Sequence, residues 1–211
     1  MLHMFRLWRP LISGFLYSKP RSAESKISYW CTPIDIDFNA HLNAAVYSIF
    51  CDAGRRHLIK NMGMVRVMLK HKWAPVVVDT RFRFYKEIPL WRVFTVTTRI
   101  IQSYEKSFII ESRFESKGVL HCVAVELGFF LKKGGRVPRT QLLKFLPDFL
   151  IKQLPAPRPE DVKTLDPYLQ EQWNFLKKLK ETDQSFRTGS SSSYLSIDSF
   201  STSDPNLKKI S

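Results

Sequence analysis

From Asn43 to about Met62 the positions Val46, Ile49, Phe50, Ala53, His57 and Leu58 recur at spacings of three and four, while Arg55, Arg56 and Lys60 fall elsewhere. That period predicts one long helix, with Asn43 suited to its N-cap and Gly63 to its stop. Residues 64–72 (MVRVMLKHK) add a short second helix. Upstream, ISYWCTP from Ile27 to Pro33 is a β-branched and aromatic run closed by proline, the pattern of a strand. Downstream the period changes to two. In VVVDTRFRFYKEI, after Pro75, Val76, Val78, Thr80, Phe82 and Phe84 alternate with Val77, Asp79, Arg81, Arg83 and Tyr85. RVFTVTTRIIQSYE, KSFIIESRFES and VLHCVAVELGFFLKK supply three more strands, the last two joined through Lys117-Gly118 as a hairpin. Strand, long helix, then four long antiparallel strands predict an α+β domain in which one helix covers one face of a curved sheet.

The ends of the chain read differently. Residues 1–22 hold four basic residues and no acid, mixed with Phe5, Leu7, Trp8, Leu11, Ile12, Phe15, Leu16 and Tyr17. The apolar run after Pro10 is too short to span a bilayer, and no small-residue cleavage site follows it. Three readings stand for this segment: an anchor lying in a membrane interface, a mitochondrial import signal, or a packed terminus. Beyond Arg139, TQLLKFLPDFLIKQL is apolar and helix-like but broken at Pro147. Pro155, Pro157 and Pro159 form a linker, and DPYLQEQWNFLKKLKE at 166–181 predicts a last amphipathic helix with Pro167 in its first turn. The final thirty residues carry ten serines and no net charge, a composition that predicts an unstructured tail.

Composition narrows the function classes. Lys and Arg number 33 against 19 Asp and Glu, a formal charge of +14, so the surface attracts polyanions. No zinc-finger spacing, RNP motif or basic zipper accompanies that charge, which disfavours nucleic acid. The phosphates of coenzyme A and an anionic membrane suit the same charge. The three cysteines, Cys31, Cys51 and Cys122, are an odd number set in apolar runs, and read as buried free thiols. The five histidines are too scattered for zinc-ligand pairs, and no cofactor is indicated.

Chemistry concentrates in Asp35-Ile-Asp-Phe-Asn-Ala-His-Leu-Asn43, where Asp35, Asp37, His41 and Asn43 crowd between the first strand and the mouth of the long helix. A helix N-terminus presents unpaired N–H groups and a positive dipole end, both suited to an oxygen gaining negative charge. A carboxylate beside it can attack a carbonyl or deprotonate a water.

The segment DIDFNAHLNAAVYSIFCDAGRR resembles the hot-dog acyl-CoA thioesterases of the 4-hydroxybenzoyl-CoA thioesterase type. Their motif runs Asp-x-Asp-x-x-Gly-His-x-Asn-Asn-Ala, then Tyr, an acid and Arg along the helix. The resemblance extends from about Tyr29 to about Lys133, and WAPVVVDTRFRFYKEIPLW with the basic-aromatic N-terminus is similar to the thioesterase-superfamily subgroup with short membrane-proximal N-termini. It implies a hot-dog domain over 23–137, after a basic apolar segment at 1–22 and before a C-terminal helical extension at 138–181 and the Ser-rich tail at 182–211.

Carried over position by position, the resemblance implies that Asp37 is the nucleophile or general base. His41, Asn43, Tyr47, Asp52 and Arg55 match the remaining motif positions, and the oxyanion donor falls on the backbone N–H of Ala44 or its neighbour. His41, Asn43 and Ala44 are thereby the substrate-binding set. The implied partners are an acyl-CoA, fatty or aromatic, and a second copy in a homodimer or tetramer with active sites at the interface. The implied setting is cytoplasmic or peripheral to an anionic membrane, with mitochondria as the alternative.

Ala40 stands in place of the motif glycine and Ala44 in place of its second asparagine. Asp37 capping a turn, His41 packed in the structure, and Asp52 paired with Arg55 are the bland alternatives. Arg81, Arg83, Lys132, Lys133, Arg136 and Arg139 are candidates for gripping CoA phosphates or simply solvated faces. Two rival functions accompany this reading. One is a hydratase, whose Asp-x-Asn-Pro-x-His motif is approached by Asp37-Phe-Asn-Ala-His41. The other is a degenerate hot-dog protein that binds acyl groups or scaffolds a membrane-associated complex.

Overall fold

A computed structural model of the chain describes residues 20–156. The amphipathic segment at 166–181, the Ser-rich tail and nearly all of the basic N-terminal segment lie outside the described residues. The element order is β1 Glu24–Trp30, α1 Ala44–Asn61, α2 Val65–His71, β2 Ala74–Phe84, β3 Val93–Ser103, β4 Phe108–Ser116, β5 Val119–Lys132, β6 Gly135–Arg136, α3 Arg139–Leu143 and α4 Asp148–Ile151. The strands form one antiparallel sheet in the order β1-β3-β4-β5-β2, with β6 paired to the end of β5. One long helix lies against this curved, unclosed sheet, the hot-dog arrangement the sequence implied. No helix among the described residues is long and apolar enough to cross a membrane.

Helix α1 forms where the period placed it. The Asn43 side chain accepts from the Ala45 N–H at 2.9 Å, and Gly63 ends the helix at a φ of +72°. Its buried face is Val46, Tyr47, Phe50, Cys51, Ala53, Gly54 and Leu58, recurring at three and four as an apolar stripe must. Gly54 permits the closest approach: a Cβ there would meet Thr98 Oγ1 of β3 at 2.3 Å. Two apolar clusters result. One joins Val46, Tyr47 and Phe50 to Phe94, Phe114 and Ala124. The other joins Leu58, Met62 and Met64 to Trp73, Phe130, Leu146 and Leu150, so that α4 is packed against the sheet end through the fully buried Leu150.

Strand limits moved in two places. β1 begins at Glu24 rather than Ile27 because Glu24, Ser25 and Lys26 pair with Arg99, Thr98 and Thr97 of β3; pairing with a long neighbour overrides the polar composition of that stretch. In β2 the register shifts between Val77 and Asp79. The bulge interrupts the alternation read from the sequence and leaves Val78 and Phe84 about half exposed on an edge strand. All three cysteines are buried thiols, and burial pushes the Cys122 thiol up to about 12.

Two local features have measurable consequences. Ser25 Oγ lies 2.9 Å from His57 Nδ1, joining β1 to α1. Burial, with Lys60 adding to it, lowers the His57 pKa below its ordinary 6.5. A depressed histidine pKa means that folding favours the neutral ring, so its stabilising contribution is complete above 6.5 and falls away as pH drops through the lowered folded value. Thermal melts between pH 8 and pH 5 should therefore show a loss on acidification that His57→Gln reduces; equal slopes in both proteins would refute it. Ala40 adopts a left-handed φ of +58° and its carbonyl accepts from the Leu90 N–H at 3.1 Å. An L side chain pays about 1–2 kcal/mol there, whereas glycine adds about 0.5–1 kcal/mol of chain entropy to the unfolded state. Ala40→Gly should raise stability by up to about 1 kcal/mol in urea unfolding, and a loss would contradict the assignment of strain.

Candidate active site

The loop between β1 and α1 is held by its own side chains. Asp35 is fully buried, and its Oδ2 accepts from the Thr32 N–H at 2.8 Å and the Thr32 hydroxyl at 2.6 Å. Its carbonyl accepts from the Asn43 N–H at 2.9 Å. The first aspartate of the motif thus braces the loop against the helix cap. Isolated bridges Ile36 to Leu42 and His41 to Pro89 close the loop on itself and on the segment entering β3.

Asp37 lies at the turn of that loop with its side chain about a quarter exposed. Its Oδ1 accepts from the Asn39 N–H at 2.9 Å, and its carbonyl accepts from Ala40 N–H at 3.1 Å. His41 Nδ1 stands 3.5 Å from Asp37 Oδ1, beyond an ordinary hydrogen bond and within reach of a small adjustment. Asn43 caps α1, whose first turn contains no acidic residue. The positive end of the helix is therefore not neutralised by its own side chains. Ala44 opens the helix and is exposed. Asp37, His41, Asn43 and the Ala44 backbone are thus brought together at one helix mouth.

The other motif positions are elsewhere. Tyr47 is buried and packs on Phe84 and Phe114 with ring centroids 5.0 and 4.8 Å away; burial drives its phenol pKa up, so it stays neutral. Asp52 and Arg55 do pair, at 3.2 Å, but in a larger network that the sequence did not suggest. Arg55 also binds the buried Glu126 of β5, Arg56 binds Asp52, and Thr80 Oγ1 donates to Glu126 Oε1 at 3.4 Å. Burial raises the Glu126 pKa, and Arg55 pulls it back down. The available signal was an acid inside the apolar run VAVELGFF, since such a residue is seldom buried without a partner.

Four of the six basic candidates, Lys132, Lys133, Arg136 and Arg139, lie away from Asp37 within one chain. Leu131 pairs with Ala74 at one end of β2, and Cys122 with Phe84 at the other. Lys132, Lys133, Arg136 and Arg139 follow the first of these ends, while Pro89 and His41 adjoin the second. Ten residues of strand, about 33 Å, separate the two. Locally, Lys132 Nζ donates to Gln141 at 2.8 Å, Arg136 stacks on Phe129 at 4.1 Å, and Arg139 Nε donates to Ser103 Oγ at 3.1 Å. Arg81 lies 3.7 Å from Asp79, and Arg83 lies over Tyr85 at 5.8 Å. Among the described residues no group of three or more His, Cys, Asp or Glu is placed to hold a metal ion.

The sequence profile of the Thioesterase-like superfamily matches residues 31–165. Protein THEM6 of Danio rerio is 36% identical over 83 residues, covering 39% of this chain and 41% of that protein. Protein THEM6 of Xenopus laevis is 28% identical over 82 residues, covering 39% and 40%. The similarity thus spans about two fifths of these curated relatives. Among solved structures, the probable thioesterase YbaW from Escherichia coli superposes with a TM-score of 0.52 at 20% identity, over 58% of this chain and 99% of that one. The gentisyl-coenzyme A thioesterase BH1999 gives 0.51 at 17% identity, over 56% and 98%. SAV2348 from Staphylococcus aureus, solved in complex with CoA, gives 0.52 at 17% identity, over 67% and 92%. At such identities the likeness is one of fold. The profile covers more than half of the chain and includes the Asp37 loop, the capped helix and the whole of the sheet from β2 to β5, and by that coverage this chain belongs to the thioesterase-like superfamily.

Proposed function

We propose that the chain hydrolyses an acyl-CoA thioester, with Asp37 as its catalytic carboxylate. The observation that carries this is the placing of Asp37 and an acid-free helix N-terminus on one braced loop. A thioester carbonyl seated at the first turn of α1 meets backbone N–H groups that strengthen their hold as negative charge builds on its oxygen. Asp37 either attacks the carbonyl carbon, giving a mixed anhydride that water then hydrolyses to regenerate the carboxylate, or takes a proton from the attacking water. The C–S bond breaks, the thiolate of CoA leaves and is protonated, and the acyl group ends as a free acid. His41, at 3.5 Å from Asp37, steadies the carboxylate, and Asn43 fixes the helix mouth.

The reading includes a homodimer. β2 is an edge strand of eleven residues with Val78 and Phe84 exposed, the kind of apolar edge that folded proteins cover. Pairing two copies of β2 about a two-fold axis is antiparallel, so the Ala74 end of one strand adjoins the Phe84 end of the other. The partner subunit's Lys132, the partner subunit's Arg136 and the partner subunit's Arg139 then approach the end of the sheet where Asp37 stands. Separation within one chain becomes proximity between two, and cations meet the phosphates of CoA.

A second reading, a non-hydrolysing acyl-binding protein, draws on the Asn39 N–H that already engages Asp37 Oδ1 and on Ala44 in place of asparagine. Release of free CoA from aliphatic and aryl acyl-CoAs discriminates the two. Asp37→Asn should lower kcat by about 10²–10⁴-fold with an unchanged far-ultraviolet spectrum. Unchanged turnover would remove Asp37 from the chemistry, and no hydrolysis by the unaltered protein would favour the binding reading.

A further inference from the structure

The connections at the two ends of the sheet differ in charge. At the end that bears Asp37, the loops 31–43, 85–92 and 117–118 hold three Lys and Arg against three acids. At the other end lie α2 with Lys72, the turn 104–107, the hairpin 131–136 and the segment 137–152. Together these hold ten Lys and Arg against the two acids Glu105 and Asp148. Strands of eleven residues, about 33 Å, separate the two ends. Charges more than about 10 Å apart are largely screened at 0.1 M salt, so the basic end acts as a pole of its own.

That pole is also apolar. Along α2, Val65 is buried and Val67 and Met68 pack on the second cluster, which leaves Arg66, Leu69 and Lys70, at spacings of three and four, exposed. Leu69 is 59% exposed. Phe145 packs on His71 and Trp73 at 5.0 and 5.6 Å, joining the segment after α3 to α2. It and Phe149 of α4 nonetheless stay 38% and 46% exposed. Lys70, Lys72, Lys144 and Lys152 are exposed beside these groups and form no salt bridge among the described residues. On the middle of the sheet, by contrast, Arg99 and Arg113 are bound to Glu111 and Glu115. The chain arrives at the same pole, since the Arg21 N–H donates to the Asn61 carbonyl at 2.7 Å at the end of α1. Residues 1–19 lead into that point with Arg6, Arg9, Lys19 and Trp8 and no acid.

A soluble polyanion satisfies the cations but not Leu69, Phe145 and Phe149. An anionic bilayer offers both phosphate at its surface and acyl chains beneath. We propose that this pole docks on an anionic phospholipid bilayer, with Lys70, Lys72, Lys144 and Lys152 against the headgroups and Leu69, Phe145 and Phe149 entering the interface. The docking does not depend on the thioesterase reading. In the two-fold pairing proposed above, the basic pole of one subunit adjoins the Asp37 end of the other, where Trp30, Phe38 and Trp91 are exposed. The bilayer that holds the first then faces the catalytic loop of the second, with tryptophans suited to the headgroup level.

The test is co-sedimentation of the full-length protein with vesicles of phosphatidylcholine, alone or with a third of the lipid replaced by phosphatidylserine. Binding should require the anionic lipid and weaken as salt rises. Lys70→Gln/Lys72→Gln/Lys144→Gln should reduce it about a hundredfold, at about fivefold per cation near the surface, and Leu69→Ser/Phe149→Ser at least about tenfold. Melting temperatures close to that of the unaltered protein establish folding. A fluorophore carried on Leu69→Cys should shift to the blue on vesicles, and one on Thr97→Cys, in the middle of the sheet, should not. Unchanged binding by the charge variant would overturn the proposal and leave residues 1–19 as the whole anchor. Unchanged binding by Leu69→Ser/Phe149→Ser, or a Leu69→Cys label that does not shift, would overturn it in favour of a purely electrostatic contact. Loss of vesicle binding with hydrolysis of acyl-CoA in solution intact, or the reverse, tells which of the two proposals has failed.

Discussion

The buried carboxylate of Glu126 beneath Arg55 is the interaction on which the rest of the site depends. It ties the middle of α1 to the middle of the sheet, with Asp52, Arg56 and Thr80 completing the network. A buried ion pair of this sort adds little net stability relative to apolar packing, but losing one partner costs about 3–5 kcal/mol because the other charge is stranded. Its value here is position. With Gly54 allowing α1 to settle against Thr98, the pair fixes where the helix lies over the sheet. The helix mouth at Asn43 and the apolar space beyond Asp52 are consequences of that placement.

Much of this was legible in the sequence because it depends on local pattern. The three-and-four spacing of α1, its asparagine cap, its glycine stop and the four long strands all appear where periodicity put them, and the motif from Asp35 to Asn43 does converge on one helix end. Other features depend on pairing between distant segments, which no local pattern encodes. The start of β1 at Glu24 is set by β3, the bulge in β2 by its register with β5, and the Arg55–Glu126 pair joins residues far apart in the chain.

The charge distribution acquires a meaning from the same geometry. A surplus of Lys and Arg gives +14 overall, yet within one chain the cations after β5 lie at the opposite end of the sheet from Asp37. On the proposed reading, pairing through edge strand β2, which is bulged and apolar, brings opposite ends together in a second copy. On that reading the dimer and the basic surface are parts of one arrangement, in which a loop from one subunit meets cations from the other.

That sharing is the central claim, and subunit complementation tests it most directly. Asp37→Asn and Lys132→Glu/Arg136→Glu proteins, each deficient in acyl-CoA hydrolysis, are unfolded together and refolded as a mixture. If each site joins one subunit's Asp37 to the other's cations, half of the dimers are mixed and each has one intact site, so about a quarter of the original hydrolysis returns. No recovery in verified mixed dimers would contradict the account and place Asp37 and its CoA-gripping cations within a single chain.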